Sequence, residues 1–145
     1  MFDDGDHPVT LLDTFDDWDY EDLMAEYVYY ADGLFVVYSI SDRKSFDALE
    51  SIIGDALSLR GGKNTIMILV GNKNDLGEER QVTTEEGKAF ADKKGIEFFE
   101  VSAKTRDRVD EMVQALIEKV EEGGQKKQNS NGEVSGVEGG KCLVQ

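Results

Sequence analysis

No stretch of this 145-residue chain approaches the roughly 18 consecutive apolar residues of a membrane-spanning helix. A single cysteine, Cys142, cannot form an internal disulfide, so neither a stapled fold nor an oxidising compartment is implied. Residues Met1 to Thr10 are acidic and have none of the apolar core of a secretory signal. An integral membrane protein and a disulfide-stapled secreted protein are both unexpected. Nor is there the basic face that nucleic acid requires: 16 Lys+Arg stand against 31 Asp+Glu, a formal charge of -15, and DNA or RNA phosphates need the opposite sign. The first 42 residues hold 12 acids and no Lys or Arg, whereas the rest holds 19 acids and 16 bases. Any anion site is expected away from that first third, or must overcome its field. No internal repeat is visible. What remains is an ordinary globular mixture, 39% hydrophobic and 32% charged, of a length that suits one domain.

Three apolar runs read as strands: Leu34 to Ile40, Thr65 to Val70, and Ile96 to Val101 with Phe98 and Phe99. Val9 to Leu12, ending in Asp13, is a shorter candidate. Continuous runs of this length suit strands buried on both faces of a parallel sheet. Helical patterns separate them. Phe46, Leu49, Ile53 and Leu57 fall three and four apart, which predicts one buried stripe capped by Ser41 or Asp42 and stopped by Gly61-Gly62. Thr83 followed by Glu86 reads as a capping box, with Gly95 as the stop after Lys93-Lys94. Val109, Met112, Val113, Leu116, Ile117 and Val120 form the stripe of a last helix. Alternating strand and helix predicts an α/β layer fold with right-handed crossovers. Beyond Gly123 the chain is rich in Gly, Asn, Ser and Lys with almost no apolar residue, and a flexible tail is expected over 123–145.

Chemistry is expected beyond the carboxyl ends of such strands. The strand ending at Val70 runs into Gly71-Asn72-Lys73-Asn74-Asp75. A carboxylate there accepts two hydrogen bonds from an edge such as guanine's N1–H and exocyclic amine, which adenine does not offer, and a Lys stem can lie against a base plane. A polar turn after a strand is the plainer reading of Asn72 to Asp75 alone. The next strand runs into Ser102-Ala103-Lys104, small residues that let backbone approach a planar ligand, at the same end of the sheet.

At this point the chain resembles the Ras-like small GTPases, from about Val9 to Glu122. The resemblance rests on Leu11-Leu12-Asp13-Thr14, on Tyr38 to Phe46, on Val70-Gly71-Asn72-Lys73-Asn74-Asp75-Leu76 and on Val101-Ser102-Ala103-Lys104-Thr105. It implies a P-loop-NTPase-like small G domain over 1–122, an open, mostly parallel sheet with helices on both faces, binding GTP or GDP with Mg²⁺. By the same resemblance Asp75 reads guanine with Ser102 beside it, Asn72 braces the base loop, Lys73 and Lys104 flank the base, the Ala103 backbone meets its carbonyl oxygen, and Asp13 supports Mg²⁺ through water. Cys142-Leu143-Val144-Gln145 fits a C-a-a-X box whose final Gln favours a farnesyl group. One lipid and few bases after Gly123 imply reversible attachment to the cytoplasmic side of a membrane, the plasma membrane being expected, where protein regulators and effectors would be met.

The resemblance is incomplete where phosphates are held. No G-x-x-x-x-G-K-[ST] occurs in the sequence, and 12 residues before Asp13 leave no room for the family's first strand, phosphate loop, first helix, effector-binding switch and second strand. The first of these strands lies in the family between those that Val9–Leu12 and Leu34–Ile40 resemble, so these two are expected to pair with each other or to leave facing edges exposed. Where the family has Asp-x-x-Gly-Gln, this chain has Asp13-Thr14-Phe15-Asp16-Asp17, and Asp17 takes the place of the Gln that orients water. About four lost phosphate contacts at roughly 1.5–3 kcal/mol each remove roughly 6–12 kcal/mol, or some four to eight orders of magnitude in affinity. Hydrolysis is therefore expected to be weak or absent. The alternative is a nucleotide-independent relative acting as a membrane-tethered interaction module.

Three smaller readings remain. The acids Asp13, Asp16, Asp17, Asp19, Glu21 and Asp22 supply oxygen ligands, but no Gly sits where a Ca²⁺ loop turns sharply, so a solvated face opening a helix to Tyr30 is expected. His7 is expected at the surface. Trp18 and the Tyr27-Val28-Tyr29-Tyr30 cluster are a candidate partner surface, with buried packing expected for the tyrosines.

Overall fold

The computed structural model describes residues 2–3, 8–14, 21–128 and 140–144. Its elements run β1 (Phe2–Asp3), β2 (Pro8–Asp13), α1 (Glu21–Tyr30), β3 (Gly33–Ser39), α2 (Arg43–Asp47), α3 (Leu49–Leu59), β4 (Ile66–Asn72), a 3-10 segment (Asn74–Glu79), α4 (Thr84–Lys94), β5 (Glu97–Glu100), α5 (Val109–Gln128) and β6 (Gly140–Val144). The six strands form one sheet in the order β1-β2-β6-β3-β4-β5. Among the described strands β1 runs antiparallel to β2, and the other pairings are parallel.

The central pair is β3 and β4, seven residues in register from Gly33↔Ile66 to Ser39↔Asn72. Their apolar runs are continuous because helices cover both faces. Leu34, Val36 and Tyr38 with Met67 and Leu69 face α1, α3 and α4. Phe35 with Ile68 and Val70 faces α5 through Met112, Val113, Leu116 and Ile117. The expected α/β architecture, with a mostly parallel sheet between helices, is what the chain adopts.

Helix ends follow their local signals. Asp42 accepts from the Lys44 N–H (3.0 Å) and caps α2. Thr83 and Glu86 make the reciprocal capping box of α4, and Gly95 closes it at φ +69°. Glu86 also binds Arg43 (2.6 Å); the Thr83 amide and then Arg43 hold its carboxyl below the usual range. The single helix expected after Asp42 is instead divided at Ala48 into α2 and α3. Its buried stripe is Leu49, Ile53, Ala56 and Arg60, and Leu57 is exposed. Arg60 displaces it for a reason that lies elsewhere in the fold. Its guanidinium, 4% exposed, donates to the carbonyls of Val28 (2.8 Å) and Ala31 (2.6 Å) at the C-terminal end of α1, which has no base in its own last turn. Burial pushes the Arg60 ionisation down from its ordinary value.

The tail expected over 123–145 is corrected in two places. α5 continues through Gly123-Gly124 to Gln128; a Cβ at Gly123 would lie 3.1 Å from Ile66 Cδ1, so glycine lets the helix pass close to β4. Farther on, Gly140–Val144 forms β6 between β2 and β3. Those two strands therefore do not pair with each other; β6 lies between them, along Val9–Asp13 of β2 and Gly33–Phe35 of β3. Among the described residues β6 stands between β2 and β3, and the two-residue β1 borders β2. Tyr27 packs against the core, but Tyr29 and Tyr30 are exposed, contrary to the packing expected of them; Lys63 Nζ stands 3.4 Å from the Tyr29 ring centre. His7, Asp16, Asp17, Trp18 and Asp19 lie outside the described residues.

Gly87 of α4 crosses Tyr38 and Phe98. A Cβ there would sit 2.6 Å from Phe98 Cζ and also collide with Tyr38 Oη. Alanine gains about 1 kcal/mol in helix propensity, whereas overpacking typically costs about 1–3 kcal/mol. Gly87→Ala is expected to lower the urea midpoint; a raised midpoint would show that Tyr38 and Phe98 repack freely.

Candidate functional site

Parallel pairing brings the carboxyl ends of β2, β3 and β4 to one edge of the sheet, with β5 beside them. At the end of β4, Gly71 accepts from the Val101 N–H (2.9 Å), so the chain beyond β5 stays tied to β4 as the two leave the sheet. Asn74 then donates its N–H to the Val101 carbonyl (3.0 Å) and its side-chain amide to Asp107 Oδ2 (2.8 Å). The loops carrying Asn72–Asp75 and Ser102–Lys104 are thereby one unit.

Asn72 holds the centre of that unit. Its Oδ1 accepts from the Lys73 N–H (2.8 Å) and from the Ala103 N–H (3.1 Å), joining the two loops through one atom. Lys73 stands at φ +67°, a left-handed conformation that a non-glycine residue adopts only when its surroundings hold it there; the hydrogen bond to Asn72 supplies that hold. Ser102 is fully buried. Its hydroxyl donates to Asp75 Oδ1 (2.6 Å) and its oxygen accepts from the Thr105 N–H (3.1 Å). The carboxylate is thus oriented by one donor, and an ionised carboxylate has about four acceptor positions, so two parallel donors on a ligand edge can still be accommodated. Lys73, Asp75, Ala103 and Lys104 are all exposed around this frame.

A second brace fixes the far end of the 3-10 segment. Arg80 forms a two-pronged pair with Glu100 of β5 (2.7 and 3.0 Å) and donates to the Val82 carbonyl (3.0 Å); its hydrogen bond to Glu100 holds the guanidinium more firmly charged. The Ile40 carbonyl, just past β3, accepts from Gln81 and Val82 N–H groups (2.8 and 3.1 Å). The segment from Asn72 to Val82 is therefore pinned at both of its ends.

The structure brings Asn72, Lys73, Asp75, Ser102 and Ala103 together and places Lys104 in the adjoining turn. Asp13 lies on the same sheet edge at the end of β2, but β6 and β3 intervene before β4, roughly 14 Å at the usual strand spacing. Among the described residues no group of three or more His, Cys, Asp or Glu is placed to hold a metal ion. For a guanine base the fit is closer: an oriented carboxylate, two lysines and an open backbone turn. Sequence reasoning missed Asn74 and Asp107, whose side-chain bond locks the loops, and Arg106 and Arg108, which turn through left-handed φ values of +62° and +55°. Asn and Asp at loop ends were visible in the sequence, but their pairing across 33 positions was not.

Ser102→Ala would leave the Thr105 N–H without its acceptor and Asp75 without its orienting donor. A cost of about 1–3 kcal/mol in unfolding free energy is expected, read from urea denaturation; an unchanged midpoint would show that the clamp carries no stability.

The model of the Ras family matches residues 1–122. The chain is 34% identical over 118 residues to the Ras-like protein rasU of Dictyostelium discoideum, covering 81% of this chain and 55% of that protein. It is 36% identical over 139 residues to the GTP-binding protein Rheb homolog of Drosophila melanogaster, covering 96% and 71%. It is 33% identical over 134 residues to the Ras-related protein Ral-B of Rattus norvegicus, covering 92% and 64%. The chain thus spans between about half and seven-tenths of the length of these curated relatives. With a family match over most of its length and the two loops of the family resemblance locked together at one sheet edge, the chain belongs to the Ras family of small GTPases.

Proposed function

We propose that this chain carries the guanine-reading half of a Ras-like GTP/GDP switch and works at the cytoplasmic side of a membrane through a prenyl group on Cys142. The observation that carries the reading is the joint made by Asn72 Oδ1, accepting from both Lys73 and Ala103, beside an Asp75 carboxylate oriented by Ser102. In this reading Asp75 accepts the two donors of the guanine edge, the stems of Lys73 and Lys104 cover the base faces, and the Ala103 turn meets the base carbonyl. The name of one relative, a GTP-binding Rheb homolog, is in keeping with it.

Phosphates are treated differently. No G-x-x-x-x-G-K-[ST] loop is present in this sequence, so this chain supplies no backbone cradle for the charged end of a nucleotide, and phosphoryl transfer depends almost wholly on such positioning. That same observation favours a second reading, a membrane-tethered module that binds protein partners without nucleotide. For attachment, no helix among the described residues is long and apolar enough to cross a membrane, and a single lipid gives reversible association. Regulators and effectors are proposed only as proteins.

Calorimetric titration with guanosine, GDP and adenosine separates the readings. Guanosine and GDP are expected to bind at millimolar strength within about threefold of each other, adenosine much more weakly, and Asp75→Ala is expected to abolish the preference. Equal affinity for guanosine and adenosine, or no binding of either, would sink the guanine reading in favour of the second. GDP bound 100-fold tighter than guanosine would show a phosphate grip within this chain.

A further inference from the structure

The gap between β2 and β3 is filled by a segment from the other end of the chain. Gly140–Val144 pairs with β2 over five positions, Val9↔Gly140 to Asp13↔Val144, and with β3 over three, Gly33↔Cys142, Leu34↔Leu143 and Phe35↔Val144. Cys142, Leu143 and Val144 therefore lie between two partners, while Lys141 pairs only with Thr10 at the rim. The residues in register along this pairing are mostly apolar. Leu143 stands in register with Leu12 and Leu34, and Val144 with Phe35; Leu34 and Phe35 belong to β3, which is buried on both faces. Supply within one chain is geometrically cheap. Eleven residues, 129–139, join α5 to β6; fully extended they reach about 36–40 Å, against strand spacings near 4.8 Å.

We infer that the space between β2 and β3 is a strand-binding slot whose ligand is the chain's own Gly140–Val144, and that insertion of this strand and prenylation of Cys142 exclude one another. The second half rests on the prenylation reading above. In that reaction the Cys142 sulfur attacks the first carbon of an allylic prenyl diphosphate, a C–S bond forms, the C–O bond breaks, diphosphate leaves with the electron pair, and the thiol proton passes to solvent. The transferase must draw the last four residues into its own cleft as an extended peptide. A segment whose backbone is committed to strands on both sides is unavailable until it leaves the sheet, so the modification rate scales with the fraction withdrawn. Once lipid is attached, the strand is held at the membrane and the slot stands open to another extended segment.

Two readouts on the full chain test this. Farnesyl transfer from farnesyl diphosphate by a farnesyltransferase is measured for the native chain, for Lys141→Pro, which removes one ladder N–H while leaving the last four residues unchanged, and for a free peptide of residues 135–145. Native amide hydrogen exchange is followed over 9–13, 33–36 and 140–144. The native chain is expected to be modified at least tenfold more slowly than the peptide, with all three segments protected, and Lys141→Pro to approach the peptide rate with protection lost at 140–144. A native chain modified as fast as the peptide while 140–144 stays protected overturns the exclusion, and rapid exchange at 140–144 overturns the slot. Protection that disappears on dilution with dissociation of a dimer overturns the intramolecular ligand. If the peptide also resists modification, the prenylation reading and the exclusion built on it fall, and the exchange pattern alone upholds or overturns the slot. Rate and protection of the native chain decide the matter even if Lys141→Pro does not fold.

Discussion

Parallel pairing of β3 with β4 is the constraint on which the molecule rests. Both strands are nearly continuous in apolar residues, so each needs cover on both faces and a partner on each edge. The faces are met by α1, α3 and α4 on one side and α5 on the other. β4 finds its second partner in β5, and β3 finds its own in β6. Because the register runs without a break from Gly33↔Ile66 to Ser39↔Asn72, the chain leaves β3 and β4 at the same level, and the loop after β5 is delivered beside them. The residues of the Asn72–Asp75 and Ser102–Lys104 loops are therefore positioned by sheet register first and by their own hydrogen bonds second.

Those hydrogen bonds convert nearness into rigidity. Asn72 spends a single oxygen on two amides from different loops, and Ser102, fully buried, couples the turn at Thr105 to the carboxylate of Asp75. Polar groups that are satisfied in this mutual way favour one arrangement of backbone, and the buried member of the set is Ser102. Arg80 and Glu100 extend the same logic to the outer end of the loop.

Much of this was legible in residues whose signals are local. The runs at Leu34 and Thr65 announced buried strands, Thr83 with Glu86 and Gly95 bounded α4, and the stripe from Val109 described the face of α5. Signals that depend on distant partners were not legible. Arg60 replaces Leu57 in the stripe of α3 because the carbonyls of Val28 and Ala31 require a donor, and nothing near position 60 reveals that demand. The break at Ala48 likewise has no glycine or proline to mark it. The sequence led to the expectation that β2 and β3 pair or leave facing edges exposed, because Gly-Lys-Cys-Leu-Val carries little strand character by itself and takes its place as β6 only opposite two partners. In the site, Asn72, Lys73, Asp75, Ser102 and Ala103 were readable as a set, whereas the lock between Asn74 and Asp107 depends on the turn through Arg106 and Arg108.

The cation-poor opening third of the chain bears on how its first helix is kept in place. α1 has no base in its last turn, so the negative end of its dipole is answered from outside, by the Arg60 guanidinium, with Lys63 seated over the neighbouring Tyr29 ring. Both cations flank the left-handed glycines Gly61 and Gly62. That tight corner is consequently a shared fastening: the geometry that ends α3 also supplies the counter-charge that ends α1, and neither helix can shift its terminus without unseating the other.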